Sequence, residues 1–513
     1  MITSQAKEIS ASPDGTNRKN LYIYLVLSAV AVFYVITAFY NGYPGDPIVY
    51  SQFAFLPRRW FELPVHFGYY AILFAVSFWA KNFSQAIIAQ TLLSIGAGII
   101  GLVALYSIAL FFGRVIILGW SREAFGAVLV LSVALTGGYW LFSTTTECLG
   151  LQNGMVLCSA ALFLRRRWML GSIAFFIAGC MSPLAMLTLP TLILFIAIGL
   201  RGDTRGQLPH LIMAGIIWGL LLFMVYSFFG LIPFINFHYQ GSGIASSQVG
   251  HGLPARVIPW GSVLKNLAII YIRTAPILLA LMPIGIVICF MQFRRWWLLN
   301  LSATLLFATH LVLIRHMQDG WTHSSIWFVI VASYGAIAIL AISDWTQVHL
   351  KIERGITVSL IFTLEIILLV EFFVIPQHIY ARDHYRLARE LNKMHTSKTV
   401  WLLEYGRAEF FAFERKGRRP GDGIGKDFYP ERRVEIAYLN DPRWHFLWEG
   451  LAEQSPVYLA IANERCLGPL SSIFLKKEHP IAINLPSGKG HLIMKKIKQV
   501  GIFGIYRISG LQR

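Results

Sequence analysis

Long apolar runs alternate with short polar turns over the first three quarters of the chain. Each run approaches the roughly 20 residues that an α-helix needs to cross a bilayer. The predicted spans are 21–40, 85–112, 124–142, 148–164, 168–182, 184–200, 210–231, 262–290, 296–314, 324–342 and 356–375. The pattern therefore predicts a polytopic α-helical membrane protein with about 11 transmembrane helices, which form a domain at residues 21–376.

The loops between the runs predict an orientation in the membrane. Residues 1–20 are polar and basic, and the run after them is too long for the apolar core of a cleaved signal peptide. If the apolar segment 65–80 lies in the interface, the loops on the N-terminal side carry 14 Lys and Arg residues against 7 on the other side. Because cytoplasmic loops are enriched in these residues, we predict a cytoplasmic tail at 1–20 and a first outer loop at 41–84 with an interfacial or re-entrant helix.

The polar remainder, residues 382–513, predicts a small soluble α/β domain on the extracytoplasmic side. Its β-rich runs are 399–404, 434–439, 457–462, 491–497 and 501–508, and a helical pattern covers 444–454. This region holds 23 Lys and Arg against 14 Asp and Glu. Such a basic domain could attract anionic lipid headgroups or polyanionic glycans, or it could simply present a solvated surface.

Composition supports a membrane protein and excludes other classes. The chain is 56% hydrophobic and only 14% charged, with a mean hydropathy of +0.58, whereas soluble domains carry about 25% charged residues. The net charge of +18 is spread between short apolar runs, so it indicates topology, and we expect no nucleic-acid partner. Four of the five cysteines fall in or beside apolar runs, and soluble catalytic motifs such as GxSxG, the P-loop and HExxH are missing from the sequence.

Two carboxylates stand out at predicted outer turns. Asp46 follows the first apolar run, and Glu147 ends the turn between the third and fourth runs. Two acids at one boundary between water and lipid suit a general base with an orienting partner, or a divalent cation that bridges a phosphate. Both could instead cap helices, and the sequence leaves these interpretations open.

The order of these elements resembles the GT-C superfamily of integral-membrane glycosyltransferases, especially its aminoarabinose- and mannosyl-transferase branch. The resemblance rests on the segments Tyr43–Tyr50, Leu63–Tyr70, Leu105–Arg114 and Ser143–Glu147, followed by the basic turn Arg165–Arg167. It implies transfer of a sugar from a polyprenyl-phosphate-linked donor to an acceptor glycan, lipid or protein at the outer face. It further implies that Asp46 is the base or metal-associated acid and that Glu147 is the second acid.

The chain departs from the family pattern in its first loop. Pro47 stands where many relatives have a second acid, and Pro64-Val65-His66 replaces a His-Pro-Pro-like motif. These differences weaken a metal site built from two adjacent carboxylates and leave a single base in place. The metal ligands stay unknown, and whether a divalent cation takes part is open.

A phosphate diester beside hydrocarbon must be paired with cations. Arg273, Arg315 and Lys265 lie near predicted outer boundaries and are the candidate donor-phosphate ligands. An ion pair between Arg273 and Glu365 inside the membrane is the alternative for that arginine. The predicted substrate-binding residues are Tyr50 and His66 in the first loop and His238, Tyr239 and Gln240 in a Gly-rich outer loop that could act as a lid.

The sequence thus predicts a hexosyl- or pentosyl-transferase in a multi-pass membrane protein, with a bacterial inner membrane as the expected location. The alternatives are a transporter or flippase for lipid-linked glycans, and a polysaccharide polymerase or ligase. A transporter would favour internal repeats, and the sequence shows no self-similarity. The sugar, the acceptor, the carrier length and the oligomeric state are not encoded in any recognisable pattern.

Overall fold

A computed structural model shows a chain that is mostly helical, with one mixed β-sheet near its C-terminus. The structure describes residues 13–44, 46–55, 66–112, 120–182, 188–199, 208–228, 272–292, 325–396, 398–403, 433–435, 445–462, 482–485 and 488–512, and the single positions 185, 268, 269, 297, 301 and 304.

Most of the described helices overlap the predicted apolar runs, and the predicted span 296–314 lies almost wholly outside the described residues. The helices are α1 (Pro13–Ile36), α2 (Asp46–Phe53), α3 (Phe67–Ser77), α4 (Phe83–Phe112), α5 (Arg122–Ala134), α6 (Gly137–Thr144), α7 (Cys148–Leu164), α8 (Trp168–Met181), α9 (Leu189–Gly199), α10 (Leu208–Phe228), α11 (Pro276–Gln292), α12 (Ser325–Leu350), α13 (Arg354–Leu369), α14 (Ile375–Met394) and α15 (His445–Ala452). Large apolar side chains such as Ile36, Met213 and Leu360 stay exposed. A soluble protein would bury many of them, whereas lipid accepts them.

Among the described residues, three helices are long and apolar enough to cross a membrane, or four if one bent pair counts as a span. The three are Phe83–Phe111, Val329–Leu350 and Arg354–Met394. The prediction of about 11 spans goes beyond this count and stays a prediction.

One predicted span is bent. The run 124–142 forms α5 and α6, which meet at an angle of 71°. The break falls at Thr136, whose backbone is extended, just before Gly137. A side chain on Gly137 would lie 2.7 Å from the Phe373 ring, so the small residue allows this close approach. The run predicted as one span is therefore a bent helix pair, which counts as a single broken span by length and composition.

Small residues bring the membrane helices together elsewhere too. A side chain on Gly154 of α7 would meet the Ala97 carbonyl of α4 at 2.6 Å, so only glycine allows these two backbones to pack at that distance. The Tyr139 hydroxyl donates to the Gly98 carbonyl at 2.8 Å, and the Tyr34 hydroxyl donates to the Ala134 carbonyl at 2.8 Å. These bonds fix α6 to α4 and α1 to α5.

The segment predicted to lie in the interface is short. Its helix, α3, has 11 residues and is about 16 Å long, less than the roughly 30 Å of a bilayer core. It packs on α8, where Gly68 allows contact with the backbone of Cys180. The length fits an interfacial or re-entrant helix and not a span.

The last membrane helix continues into the polar region. α13, a π-helical turn (Val370–Val374) and α14 form one helix, Arg354–Met394. The predicted boundaries at 376 and 382 therefore fall inside a helix, and the first strand begins at Val400. Pro376 directly follows the π-helical turn, which is where the regular i→i−4 hydrogen bonds of the helix are already interrupted.

The C-terminal sheet has six strands in the order β2-β1-β3-β6-β5-β4. They are β1 (Val400–Leu403), β2 (Arg433–Glu435), β3 (Val457–Ala462), β4 (Ala482–Leu485), β5 (Gly488–Val500) and β6 (Phe503–Gln512). β1 pairs in parallel with β2 and β3, and the other pairs are antiparallel. Leu387 and Leu391 of α14 pack against Trp401 and Phe503 of the sheet, so this helix joins the sheet to the membrane helices.

Candidate active site

Asp46 is the first residue of α2. The chain leaves α1 at Ile36 and turns sharply at Gly42, whose φ of +85° suits glycine. A side chain on Gly42 would lie 2.9 Å from the Cδ1 atom of Ile48 in α2. The turn therefore folds α2 back beside the end of α1 and fixes where the Asp46 backbone lies.

A buried hydrogen-bond cluster joins the two acidic turns. The Thr146 hydroxyl donates to the Pro47 carbonyl at 2.6 Å, and the Ser51 hydroxyl lies 3.0 Å from that carbonyl oxygen and 2.9 Å from Thr146 Oγ1. We call Pro47, Ser51 and Thr146 the clasp. Because Pro47 follows Asp46 and Thr146 precedes Glu147, the clasp brings the two predicted acidic positions side by side in the backbone.

Glu147 occupies the N-cap of α7. Its Oε1 atom accepts from the Cys148 backbone N–H at 3.1 Å and from the Cys148 thiol at 3.3 Å. The residue is 7% exposed. A carboxylate at this position is favoured by the helix dipole and by unsatisfied N–H groups. The capping interpretation of Glu147 is therefore seen in the structure, and its part in catalysis stays a prediction.

The predicted substrate residues Tyr50 and His66 contact each other. His66 Nδ1 lies 2.8 Å from the Met181 carbonyl, which can only accept, so this nitrogen carries the proton. The other nitrogen, Nε2, then accepts from the Tyr50 hydroxyl at 3.3 Å. Burial lowers the pKa of His66 to about 4, although the bond to Met181 raises it. A neutral imidazole thus holds the Tyr50 ring one helical turn from Asp46.

Aromatic rings surround Tyr50 in α2. Tyr50 packs against Tyr69 and Tyr70, with ring centroids 5.7 and 6.0 Å away. Burial raises the pKa of Tyr69 well above its usual value, and the electrostatic effects of the neighbouring Cys148 and Glu147 raise it further. The sequence motif contained both tyrosines, but only the fold shows that they line the clasp region.

Arg273 lies just before α11 and is partly buried. Within the described part of the chain no ion pair joins it to Glu365. The Glu365 Oε2 atom instead accepts from the Ile277 backbone N–H at 2.9 Å, at the start of α11, and Oε1 has no partner among the described residues. The proposed ion pair between Arg273 and Glu365 is therefore wrong, because Glu365 caps a neighbouring helix. The role of Arg273 as a ligand of the donor phosphate stays a prediction.

Several predicted site residues lie outside the described residues. They are Lys265, Arg315, His238, Tyr239 and Gln240. The described part holds no group of three or more His, Cys, Asp or Glu side chains that could bind a metal ion.

The sequence did not identify the contacts that α14 makes with the first outer loop. The Tyr43 hydroxyl donates to Gln377 Oε1 at 2.5 Å, and His378 Nε2 donates to the Thr37 carbonyl at 3.0 Å. The His378 ring also stacks on Phe39, with centroids 4.4 Å apart. The start of α14 is thus fixed to the segment that leads into Asp46. These pairs lie more than 330 positions apart, so local patterns could not reveal them.

No model of a protein family and no curated protein matches the chain. Among solved structures, ArnT from Cupriavidus metallidurans in the apo state is similar, with a TM-score of 0.53 at 11% identity over 95% of this chain and 98% of that one. ArnT from the same organism bound to undecaprenyl phosphate has a TM-score of 0.46 at 12% identity over the same shares. The apolar helices and the ArnT-like fold identify a multi-pass membrane protein. The chain thus has a fold similar to that of ArnT, which agrees with the fold that the sequence resemblance implied.

Proposed function

We propose that this protein is a glycosyltransferase that moves a sugar from a polyprenyl-phosphate-linked donor to an acceptor at the outer face of the membrane. The ArnT-like fold supports this general reaction. The observation that carries the proposal is the clasp, because it holds the turn with Asp46 against the turn with Glu147. Two acids on adjacent turns suit a general base with an orienting partner.

The proposed reaction is a single displacement at the anomeric carbon. Asp46 accepts a proton from the acceptor hydroxyl or amine, which forms the new bond to the sugar. The bond between the sugar and the phosphate oxygen breaks, and the carrier phosphate leaves with the electron pair. Glu147 positions the acceptor or holds a cation, and Arg273, Arg315 and Lys265 neutralise the departing phosphate.

Tyr50 and His66 are proposed to contact the sugar or its acceptor. The aromatic ring of Tyr50 is held by the neutral His66 and by Tyr69 and Tyr70. A ring fixed in this way provides a rigid apolar wall beside Asp46, which suits the apolar face of a sugar. The transfer of a hexose or a pentose, and a glycan, lipid or protein as the acceptor, belong to the same proposal and follow from the sequence resemblance.

The test is a purified enzyme supplied with a polyprenyl-phosphate-linked sugar, with release of polyprenyl phosphate as the readout. We expect Asp46→Asn to lower the rate by about 10²- to 10⁴-fold with an unchanged melting temperature, because a base is lost without a change in size. Glu353→Gln is the matched control, since this exposed acid makes no side-chain cap bond.

Full activity of Asp46→Asn would remove this residue from the mechanism. Movement of the intact donor across the membrane with no release of polyprenyl phosphate would instead support the transporter or flippase.

A further inference from the structure

One face of α14 carries four basic residues in a line. Arg382, Arg386, Arg389 and Lys393 follow a spacing of four, three and four residues, which places them within about 60° of the helix circumference and over about 16 Å of its length. All four are exposed, with side-chain exposures of 54%, 57% and 69% for Arg382, Arg386 and Lys393. We call these four residues the α14 basic stripe.

The acids beside the stripe are already engaged. Asp383 is 4% exposed, and its Oδ2 atom accepts from the Ile502 N–H in the turn between β5 and β6. Its Oδ1 atom lies 3.3 Å from Arg382 Nε. Glu390 is shared by Lys393 and by Lys498 of β5, at 2.8 and 2.5 Å. Among these described residues, the four cations of the stripe and Lys498 outnumber the two acids by three.

The flank of α14 beside the stripe packs against the candidate active site. Ala388 and Tyr385 pack in the cluster that contains Ile48, Tyr50 and Tyr69. The Arg389 guanidinium lies 6.0 Å from the Tyr385 ring centroid. Tyr385 therefore connects the stripe, through Arg389, to the aromatic cluster around Tyr50.

The direction of the stripe limits what it can bind. α14 continues the membrane helix α13, so the stripe runs away from the membrane along that axis. The headgroup layer is only about 5–8 Å thick on each side of the bilayer. Lipid headgroups would meet the first one or two cations, whereas a stripe of about 16 Å needs an anionic partner that itself extends from the membrane.

We propose that the α14 basic stripe binds a polyanionic glycan, a saccharide chain that bears carboxylate or phosphate groups. The guanidinium group of an arginine can form two parallel hydrogen bonds with a carboxylate or phosphate group. Cations at every helical turn suit a glycan whose negative charges repeat along its chain. The role of this glycan rests on the proposed function. The glycan is part of the acceptor, and the stripe guides it toward Asp46.

The test measures binding of dextran sulfate, with neutral dextran for comparison, to the full chain in nanodiscs of zwitterionic lipid. We expect the triple variant Arg382→Gln, Arg386→Gln and Arg389→Gln to bind dextran sulfate roughly tenfold more weakly or worse, since each basic residue contributes several-fold to binding an anionic surface. The matched control removes the same charge from three exposed arginines elsewhere, Arg165→Gln, Arg166→Gln and Arg167→Gln. It should bind dextran sulfate as the parent chain does.

Arg389→Gln with Lys393→Gln is a second variant that leaves the contacts of Asp383 with Ile502, Arg382 and Arg386 intact. An unchanged melting temperature of this variant would show that weaker binding is not caused by loss of folding. Equal weakening in the control would show an effect of net charge and overturn the proposal, as would unchanged binding in both stripe variants. If anionic lipid in the nanodisc displaces dextran sulfate, the membrane surface occupies the stripe and the proposal fails. Asp46→Asn should bind dextran sulfate normally, so a failed stripe and a failed catalytic proposal give different results.

Discussion

At the scale of single residues, the clasp makes Thr146 the residue that connects the two acidic turns. Its hydroxyl donates to the Pro47 carbonyl, beside Asp46. Thr146→Val removes that donor and keeps the shape, so we expect the turns to separate slightly and the rate of transfer to fall by about 10- to 100-fold, as small misplacements of catalytic groups do. Thr146→Ser keeps the hydroxyl and should retain most of the activity.

The readout for these two variants is kcat and KM for sugar transfer together with the melting temperature. A merely structural role would lower the melting temperature of Thr146→Val and leave kcat per folded enzyme unchanged, which would remove Thr146 from the positioning of Asp46. The sequence identified Asp46 and Glu147 because acids are rare beside apolar runs. It missed Ser51 and Thr146, because buried hydroxyls are common in membrane helices and their pairing over 95 positions depends on the fold.

At the scale of secondary-structure elements, Glu365 of α13 connects two helices by capping α11. Glu365→Leu leaves the Ile277 N–H without its acceptor, and we expect a loss of about 1–3 kcal/mol in the free energy of unfolding. Glu365→Gln still offers a carbonyl oxygen and should cost less. Because Arg273 is not paired with Glu365, a double-mutant cycle with Arg273→Gln and Glu365→Gln should show coupling near zero in melting experiments.

Coupling above about 1 kcal/mol in that cycle would restore the ion pair that the sequence allowed. The sequence could place Glu365 inside a helix but could not tell which neighbour it meets. The same limit explains the bent run at 124–142. Its hydropathy is that of one span, and only packing of Gly137 against Phe373 shows why the helix breaks there.

At the scale of the whole molecule, the order of elements along the chain predicted a mostly helical membrane protein with a small sheet near its C-terminus. The structure contains the first helix, a short apolar helix in the first loop, the basic turn at Arg165–Arg167 and a C-terminal sheet with helices beside it. Sequence reasoning placed a soluble unit after residue 382, whereas α14 runs unbroken through that position and is fixed at Tyr43 and at Ile502. Hydropathy changes at the membrane boundary, but a helix can cross that boundary without a break.

The same helix makes the orientation of the molecule testable. The distribution of Lys and Arg predicts that the turn Arg165–Arg167 is cytoplasmic and that the sheet is extracytoplasmic. In a chain whose five cysteines are changed to alanine, Arg166→Cys should react with a membrane-impermeant maleimide only after the membrane is opened. Lys398→Cys, an exposed position just before β1, should react in intact cells. Reaction at Arg166→Cys in intact cells with protection at Lys398→Cys would place the clasp, Asp46 and the α14 basic stripe in the cytoplasm, where a donor on the outer face could not reach them.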